Sequence, residues 1–323
     1  MSINTKTDYK APFLLNNGHI QTILPSTFRK PFPVFYERER VETPDNDFID
    51  LDWSAVGSKK LAIISHGLEG NSTRKYIKGM VHALNINNWD ALALNFRGDS
   101  GEPNRLLTTY HSGFTDDISL AINHAKEKQR YTEIALIGFS IGGNMSLVYL
   151  GRDNVDPLVK RAAVMSVPCD LKDSSACLAQ FKNTLYMKRF LIMFHNKIKE
   201  KMALLPGQID DKDFNKIKDF QEFDERYTAP IHGFKNALDY WEQCSSKQFI
   251  PNIKIPTLIL SAKNDPFLSE SCYPIKESKS NNYITLEMPE SGGHVGFITF
   301  NRSKVYWSEQ RVVDFITQES KVL

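Results

Sequence analysis

Ile134-Ala-Leu-Ile-Gly138-Phe-Ser140-Ile-Gly142-Gly143-Asn-Met-Ser-Leu-Val-Tyr-Leu150 decides the fold, because an apolar run of β character breaks at glycines and resumes with helical spacing. It reads as strand, sharp turn, helix. The turn spells G-x-S-x-G, in which the serine takes a strained backbone conformation and lifts its Oγ above the carboxyl edge of a sheet. Side chains at 138 and 142 would collide as strand and helix close up, and Gly143 relaxes the same crossing further. Ser140 is the candidate nucleophile. Five letters alone also describe an ordinary glycine-rich turn, so the weight falls on what surrounds them.

Outward from this unit, residues 61–65, 91–96, 161–167, 256–262 and 282–288 are short apolar runs. Continuous rather than alternating hydrophobicity is the mark of parallel strands covered by helices on both faces. Helical patterns over 74–85, 115–128 and 304–317 lie between and after them, the second opening on Thr115-Asp-Asp, with acidic residues where the helix dipole favours them. Residues 34–42 and 48–54 alternate as an antiparallel pair turning at Pro44-Asp45-Asn46. The order βαβα predicts an α/β protein with a mostly parallel, doubly wound sheet. Residues 12–25 read as an apolar, turn-rich lead-in packing across the sheet, with His19 structural.

The interval 168–255 is far longer than one crossover needs. It reads as an inserted helical cap, with helices over 174–202, 213–223 and 233–246. The chain thus divides into a first core part at 1–170, a cap at 171–250 and a second core part at 251–323. Met187, Leu191, Phe194, Ile198 and Met202 fall on one face of the long cap helix, interleaved with Lys188, Arg189, Lys197, Lys199 and Lys201. That face is expected to point at Ser140 and line an acyl pocket, chiefly through Met187, Leu191 and Phe194, with the basic side chains in water.

A nucleophilic serine needs a base, and the base an acid to orient it. Asp265 follows the strand at 256–262 and His294 follows the one at 282–288, both at carboxyl ends where ligands bind in open α/β sheets. The order Ser140, Asp265, His294 is the one that accompanies an elbow serine. Asp170 is the main rival acid, with Glu69 and Asp99 behind it. Charge developing on the substrate carbonyl oxygen requires two donors. The backbone N–H of Ile141 supplies one and that of Leu68, in Ser65-His66-Gly67-Leu68-Glu69-Gly70, the other; His66 reads as a brace for that loop.

With 40 basic and 38 acidic residues the net charge is +2, which excludes bulk attraction to nucleic acid. No stretch has the 18 or so uninterrupted apolar residues of a membrane span, and the first residues lack a secretory h-region. Cys169, Cys177, Cys244 and Cys272 form no metal-like cluster. The expectation is a cytoplasmic chain without metal or cofactor. At most the basic cap helix touches a membrane surface; the oligomeric state is open.

The set His66-Gly-Leu-Glu-Gly-Asn-Ser, Asn95-Phe-Arg-Gly-Asp-Ser-Gly-Glu-Pro-Asn104, Tyr110-His-Ser-Gly-Phe-Thr-Asp-Asp117, Gly138-Phe-Ser-Ile-Gly-Gly143, Asn264-Asp-Pro-Phe267 and Gly293-His-Val-Gly296 resembles the YheT-like α/β-hydrolases. That group includes plant embryogenesis-associated proteins, yeast medium-chain ethyl ester synthase/esterases and mammalian α/β-hydrolase-domain lipases. The likeness extends to His19-Ile-Gln-Thr and, in the cap, to Phe223-Asp-Glu and Thr228-Ala-Pro. It implies the α/β-hydrolase fold and a serine ester hydrolase acting on short- to medium-chain acyl esters, with Ser140, Asp265 and His294 as its triad. Transfer of the acyl group to an alcohol is the alternative within the enzyme class, and a catalytically silent binding protein the alternative outside it.

Overall fold

The computed structural model describes residues 2–4 and 7–318, without the side chains of 2–4. Nine strands form one sheet: β1 (Ser2–Asn4), β2 (Glu37–Glu42), β3 (Phe48–Ser54), β4 (Lys60–Ser65), β5 (Asp90–Asn95), β6 (Glu133–Phe139), β7 (Val159–Met165), β8 (Thr257–Leu260) and β9 (Ile284–Glu287). Their spatial order is β1-β9-β8-β7-β6-β4-β5-β3-β2. Pairing from β5 through β4, β6, β7, β8 and β9 to β1 is parallel, and β2 and β3 run antiparallel at the other edge. The expected doubly wound α/β sheet is therefore present, with a terminal strand at 2–4 that no sequence signal announced.

Two helical layers cover it. On one face α2 (Lys75–Ile86) and α11 (Trp307–Thr317) pack with the core of Ile64, Ala93, Ile137 and Leu258; on the other α3 (Asp116–Glu127) and α4 (Ile141–Arg152) pack with Ile63, Leu92, Leu136 and Ile259. The outer pair is tied differently. Asp50 and Asp52 of β3 are buried, and Arg40 and Arg38 of β2 meet them in two-pronged pairs at 2.7–2.9 Å. Burying charge so near an edge is tolerable only with such partners.

Residues 12–25 do not form a turn-rich lead-in throughout: α1 (Gly18–Phe28) starts on Asn17, whose side chain accepts from the N–H groups of His19 and Ile20. Between β7 and β8 every regular element is helical: α5 (Leu171–Leu178), α6 (Thr184–Leu204), α7 (Phe220–Phe223) continuing through a π-helical turn at Asp224–Thr228 into α8 (Ala229–His232), and α9 (Ala237–Cys244). Short α10 (Ile275–Lys279) precedes β9. The single helix expected over 174–202 is two. Asn183 divides them, its Nδ2 donating to the carbonyls of Cys177 and Pro266 at 2.9 and 2.8 Å.

Because β5 and β6 lie on opposite sides of β4, the strand order reverses between β4 and β6. Ligands bind outside the carboxyl ends of strands at such a switch point. The loop after β4 and the turn after β6 therefore meet there.

Candidate active site

Ser140 lies between the last residue of β6 and the first of α4, with φ 52° and ψ −120°. Such a backbone costs a residue with a side chain about 1–3 kcal/mol and persists only where the surroundings fix it. Here its N–H donates to the Met165 carbonyl at 2.8 Å and its own carbonyl accepts from Asn144 N–H at 3.1 Å. A Cβ on residue 138 would lie 2.5 Å from the Cα of Gly143, and one on residue 142 would lie 2.6 Å from the Ser65 carbonyl oxygen. Glycine at both positions is what lets strand, turn and helix close around the serine.

His294 and Asp265 come to Ser140 from neighbouring strand ends. His294 Nε2 is 3.0 Å from Ser140 Oγ, and its Nδ1 is 2.8 Å from Asp265 Oδ2. Asp265 is 4 % exposed; its other oxygen accepts from Phe267 N–H at 2.9 Å. The histidine loop is held at three successive residues. Gly293 N–H donates to Asn264 Oδ1, His294 N–H to Thr22 Oγ1 and Val295 N–H to Ser166 Oγ, at 3.0, 2.9 and 2.9 Å, while the Phe267 ring lies 4.2 Å from the imidazole. Sequence reasoning missed Thr22, Ser166 and Asn264 as supports, although Asn264 adjoins the acid.

The loop after β4 abuts the serine: a Cβ on Gly67 would stand 3.3 Å from Ser140 Cβ. Its amides are nearly all engaged. Gly67 N–H donates to Tyr76 Oη at 2.9 Å, Glu69 N–H to Tyr110 Oη at 3.0 Å and Gly70 N–H to the Gly67 carbonyl at 2.9 Å. Leu68 N–H is the amide left over between them. Ile141, first residue of α4, likewise has an N–H with no partner inside the helix. Burial pushes the Tyr76 phenol up to about 12, so its hydroxyl stays protonated while accepting.

Residues 62–300 match the family described as the alpha/beta hydrolase fold. The chain is 35% identical over 310 residues to YheT of Escherichia coli (strain K12), covering 94% of this chain and 91% of that protein. The chain belongs to the α/β-hydrolase fold family. It is also 30% identical over 289 residues to Phospholipase ABHD3 of Mus musculus, covering 86% of this chain and 70% of that protein. Among solved structures, the Pyrococcus furiosus esterase Pf2001 shares the fold, with a TM-score of 0.60, 17% identity and coverage of 87% of this chain and 89% of that one.

In this α/β-hydrolase the rival acids serve elsewhere. Asp170 caps α5, its Oδ1 accepting from Asp173 N–H at 3.1 Å. Glu69 and Asp99 both face Lys197 of α6, Glu69 Oε1 at 2.8 Å and Asp99 Oδ1 closer still. Burial alone would drive the Lys197 ammonium down, but the two carboxylates hold it above the ordinary lysine range. His66 donates from Nδ1 to the Gly67 carbonyl at 2.8 Å and accepts at Nε2 from Phe96 N–H at 3.1 Å. Burial pushes it down to about 3. It is a neutral brace with no free nitrogen for proton transfer. His19 stacks on Tyr186, its Nδ1 3.2 Å from the phenol oxygen.

Two cavities of this α/β-hydrolase meet at Ser140 and His294. One, about 170 Å³, runs beneath the cap and is walled by Phe190, Phe194, Ile198, Phe220 and Phe223. The other, about 400 Å³, opens between the second half of α1, the start of α2 and the first half of α6. Of the three side chains expected to line an acyl pocket, Phe194 is among the walls of the first cavity. Met187 and Leu191 are not: Met187 is buried against Leu178 and Phe267, with Leu191 packed beside it. The face of α6 turned to the cavity carries Phe190, Phe194, Lys197, Ile198 and Lys201, rotated about 60° from the expected one at 100° per residue. The cause is the lysines. Lys201, expected in water, is 4 % exposed and donates to the carbonyl and Oδ1 of Asn104, each at 2.6 Å, and to the Leu106 carbonyl. With Lys197 it turns α6 onto the loops of the core.

Among the described residues no helix is long and apolar enough to cross a membrane, and no three His, Cys, Asp or Glu side chains form a metal site.

Proposed function

We propose that the chain is a serine carboxylic ester hydrolase in which Ser140, His294 and Asp265 form the triad and the amides of Leu68 and Ile141 hold the oxyanion. The observation that carries this reading is the continuous hydrogen-bonded path from Ser140 Oγ through His294 to buried Asp265. The names of relatives and structural neighbours, a phospholipase and an esterase among them, support the same reaction class. Ser140 Oγ adds to the ester carbonyl as its proton passes to His294 Nε2. That proton then goes to the departing alkoxide, which leaves as an alcohol. Water adds to the acyl-enzyme with His294 again as base, releasing the carboxylic acid and restoring the serine. Asp265 fixes the imidazole tautomer and stabilises the imidazolium.

The aromatic cavity under the cap takes the acyl chain, and its small volume favours short to medium chains. Glu69 sets the oxyanion loop: it has φ 55°, its N–H is held by Tyr110, its carbonyl by Arg74 and its carboxylate by Lys197. In this reading these ties hold the loop so that Leu68 N–H serves as the second oxyanion donor. The test is hydrolysis of p-nitrophenyl butyrate by wild type and by Ser140→Ala, purified free of host esterases. The variant is expected to keep its thermal midpoint and lose activity by about 10⁶-fold, as a missing triad member does. Near wild-type turnover overturns the assignment.

A further inference from the structure

Tyr76, the second residue of α2, holds the Gly67 amide by accepting its hydrogen bond at 2.9 Å. A phenol oxygen both accepts and donates, and conjugation keeps its hydrogen in the plane of the ring, so a donor seated on one lone pair leaves the opposite direction to the O–H. Among the described residues that O–H has no acceptor. Tyr110, which holds the Glu69 amide of the same loop in the same way, gives its own O–H to Glu69 Oε1 at 3.4 Å. Tyr76 lines the cavity of about 400 Å³ together with Ser140 and His294, and has no part in the one beneath the cap. A Cβ on Gly67 would stand 3.5 Å from Tyr76 Oη and 3.3 Å from Ser140 Cβ, so phenol and nucleophile flank one gap. The phenol is fixed there: its ring packs on Phe139 with centroids 4.8 Å apart, and a Cβ on Gly70 would come within 2.9 Å of its oxygen.

Resting on the ester hydrolase reading, with the acyl chain under the cap, we infer that Tyr76 donates a hydrogen bond to the oxygen of the departing alcohol. When the tetrahedral intermediate collapses, the bond from the carbonyl carbon to that oxygen breaks, its electron pair goes to the oxygen, and His294 Nε2 delivers the proton. The phenol keeps its own proton and stabilises the charge that builds on the oxygen before that delivery is complete. Its contribution is largest for alkyl alcohols, whose charge stays on one oxygen, and smallest for nitrophenol, whose charge spreads into the ring.

The test compares kcat/KM for ethyl butyrate and for p-nitrophenyl butyrate, which share the acyl chain and form the same acyl-enzyme. Tyr76→Phe also removes the tie on Gly67 N–H, a loss common to both esters because both place the same oxyanion against that loop. The missing donor should add a further loss of about tenfold or more for ethyl butyrate alone. Equal losses would leave Tyr76 to the loop and overturn the inference, as would no loss on ethyl butyrate, or failure of wild type to cleave ethyl butyrate while p-nitrophenyl butyrate is cleaved. If Tyr76→Phe does not fold, 3-fluorotyrosine in place of Tyr76 keeps the ring and its oxygen with a more acidic O–H. Ethyl butyrate should then gain about twofold relative to p-nitrophenyl butyrate, and an unchanged ratio overturns the inference. The hydrolase reading falls separately, by Ser140→Ala retaining activity toward p-nitrophenyl butyrate.

Discussion

At the sheet edge, Ser140, Asp265 and His294 are positioned by backbone: a positive-φ turn, the register of parallel strands and loops pinned through their amides. On α6, by contrast, side chains decide which face looks inward, since Lys197 and Lys201 reach carboxylates and carbonyls on loops more than ninety residues away in the chain. A backbone device is local and tolerates little variation. A side-chain anchor depends on partners that only the folded molecule brings together, and one charged group can outweigh an apolar stripe in orienting a helix.

Breaking the backbone-set site should have the largest effect. Asp265→Asn is expected to lower kcat by about 10⁴-fold through the wrong imidazole tautomer, whereas Asp170→Asn, a change at a helix cap, should shift kcat little. Steady-state kinetics on p-nitrophenyl butyrate would show it, and the reverse ranking would move the acid to the strand before the cap.

Breaking the side-chain anchor comes next. Lys197→Met leaves Glu69 and Asp99 facing each other without their cation, a loss of about 3–5 kcal/mol when a buried pair is broken. It also frees the loop carrying the proposed oxyanion donor, Leu68 N–H, so kcat should fall by about 10²-fold, the scale of a lost oxyanion donor. Lys197→Arg should restore most of kcat. A stability loss with kcat intact would leave Lys197 to the fold alone.

The corrected face of α6 is tested by two truncations. Phe194→Ala should move the acyl-length optimum toward longer p-nitrophenyl esters, while Met187→Ala should lower stability by about 2–5 kcal/mol and leave that optimum in place. Equal effects of both on the optimum would restore the face expected from periodicity.

The smallest effect concerns Asp224 in the π-helical turn. Its carboxyl accepts from Thr228 Oγ1 and Trp241 Nε1 at 2.6 and 2.8 Å, and burial pushes it up to about 7. The unfolded chain loses this proton near pH 4, so between there and 7 the folded state binds more protons and stability falls as pH rises. Asp224→Asn should therefore gain thermal midpoint relative to wild type on going from pH 5 to pH 8. A difference that is constant with pH would show the carboxyl ionising normally.

Much of this architecture was legible in the sequence, and the reason differs by region. Continuous apolar runs marked the buried parallel strands, and the strand that opens the stretch ending at Leu150 stops at Phe139, where glycine and serine punctuate its end. The glycine-serine turn and the polar residues just beyond two later strands singled out the three side chains that meet. What escaped depended on contacts across the chain: the division of the cap helix at Asn183, which bonds to Pro266, and the inward turn of Lys197 and Lys201. The supports of the catalytic loop, Thr22 and Ser166, are ordinary hydroxyl residues with no local pattern to distinguish them.

The central claim is that Ser140 is an activated nucleophile. Intact-mass analysis after treatment with an alkyl fluorophosphonate tests it most directly, because only an activated serine is phosphonylated under mild conditions. The account predicts one adduct per chain, mapped to the peptide carrying Ser140 and absent from both Ser140→Ala and His294→Ala. No adduct on wild type, or one that persists in Ser140→Ala, would contradict it.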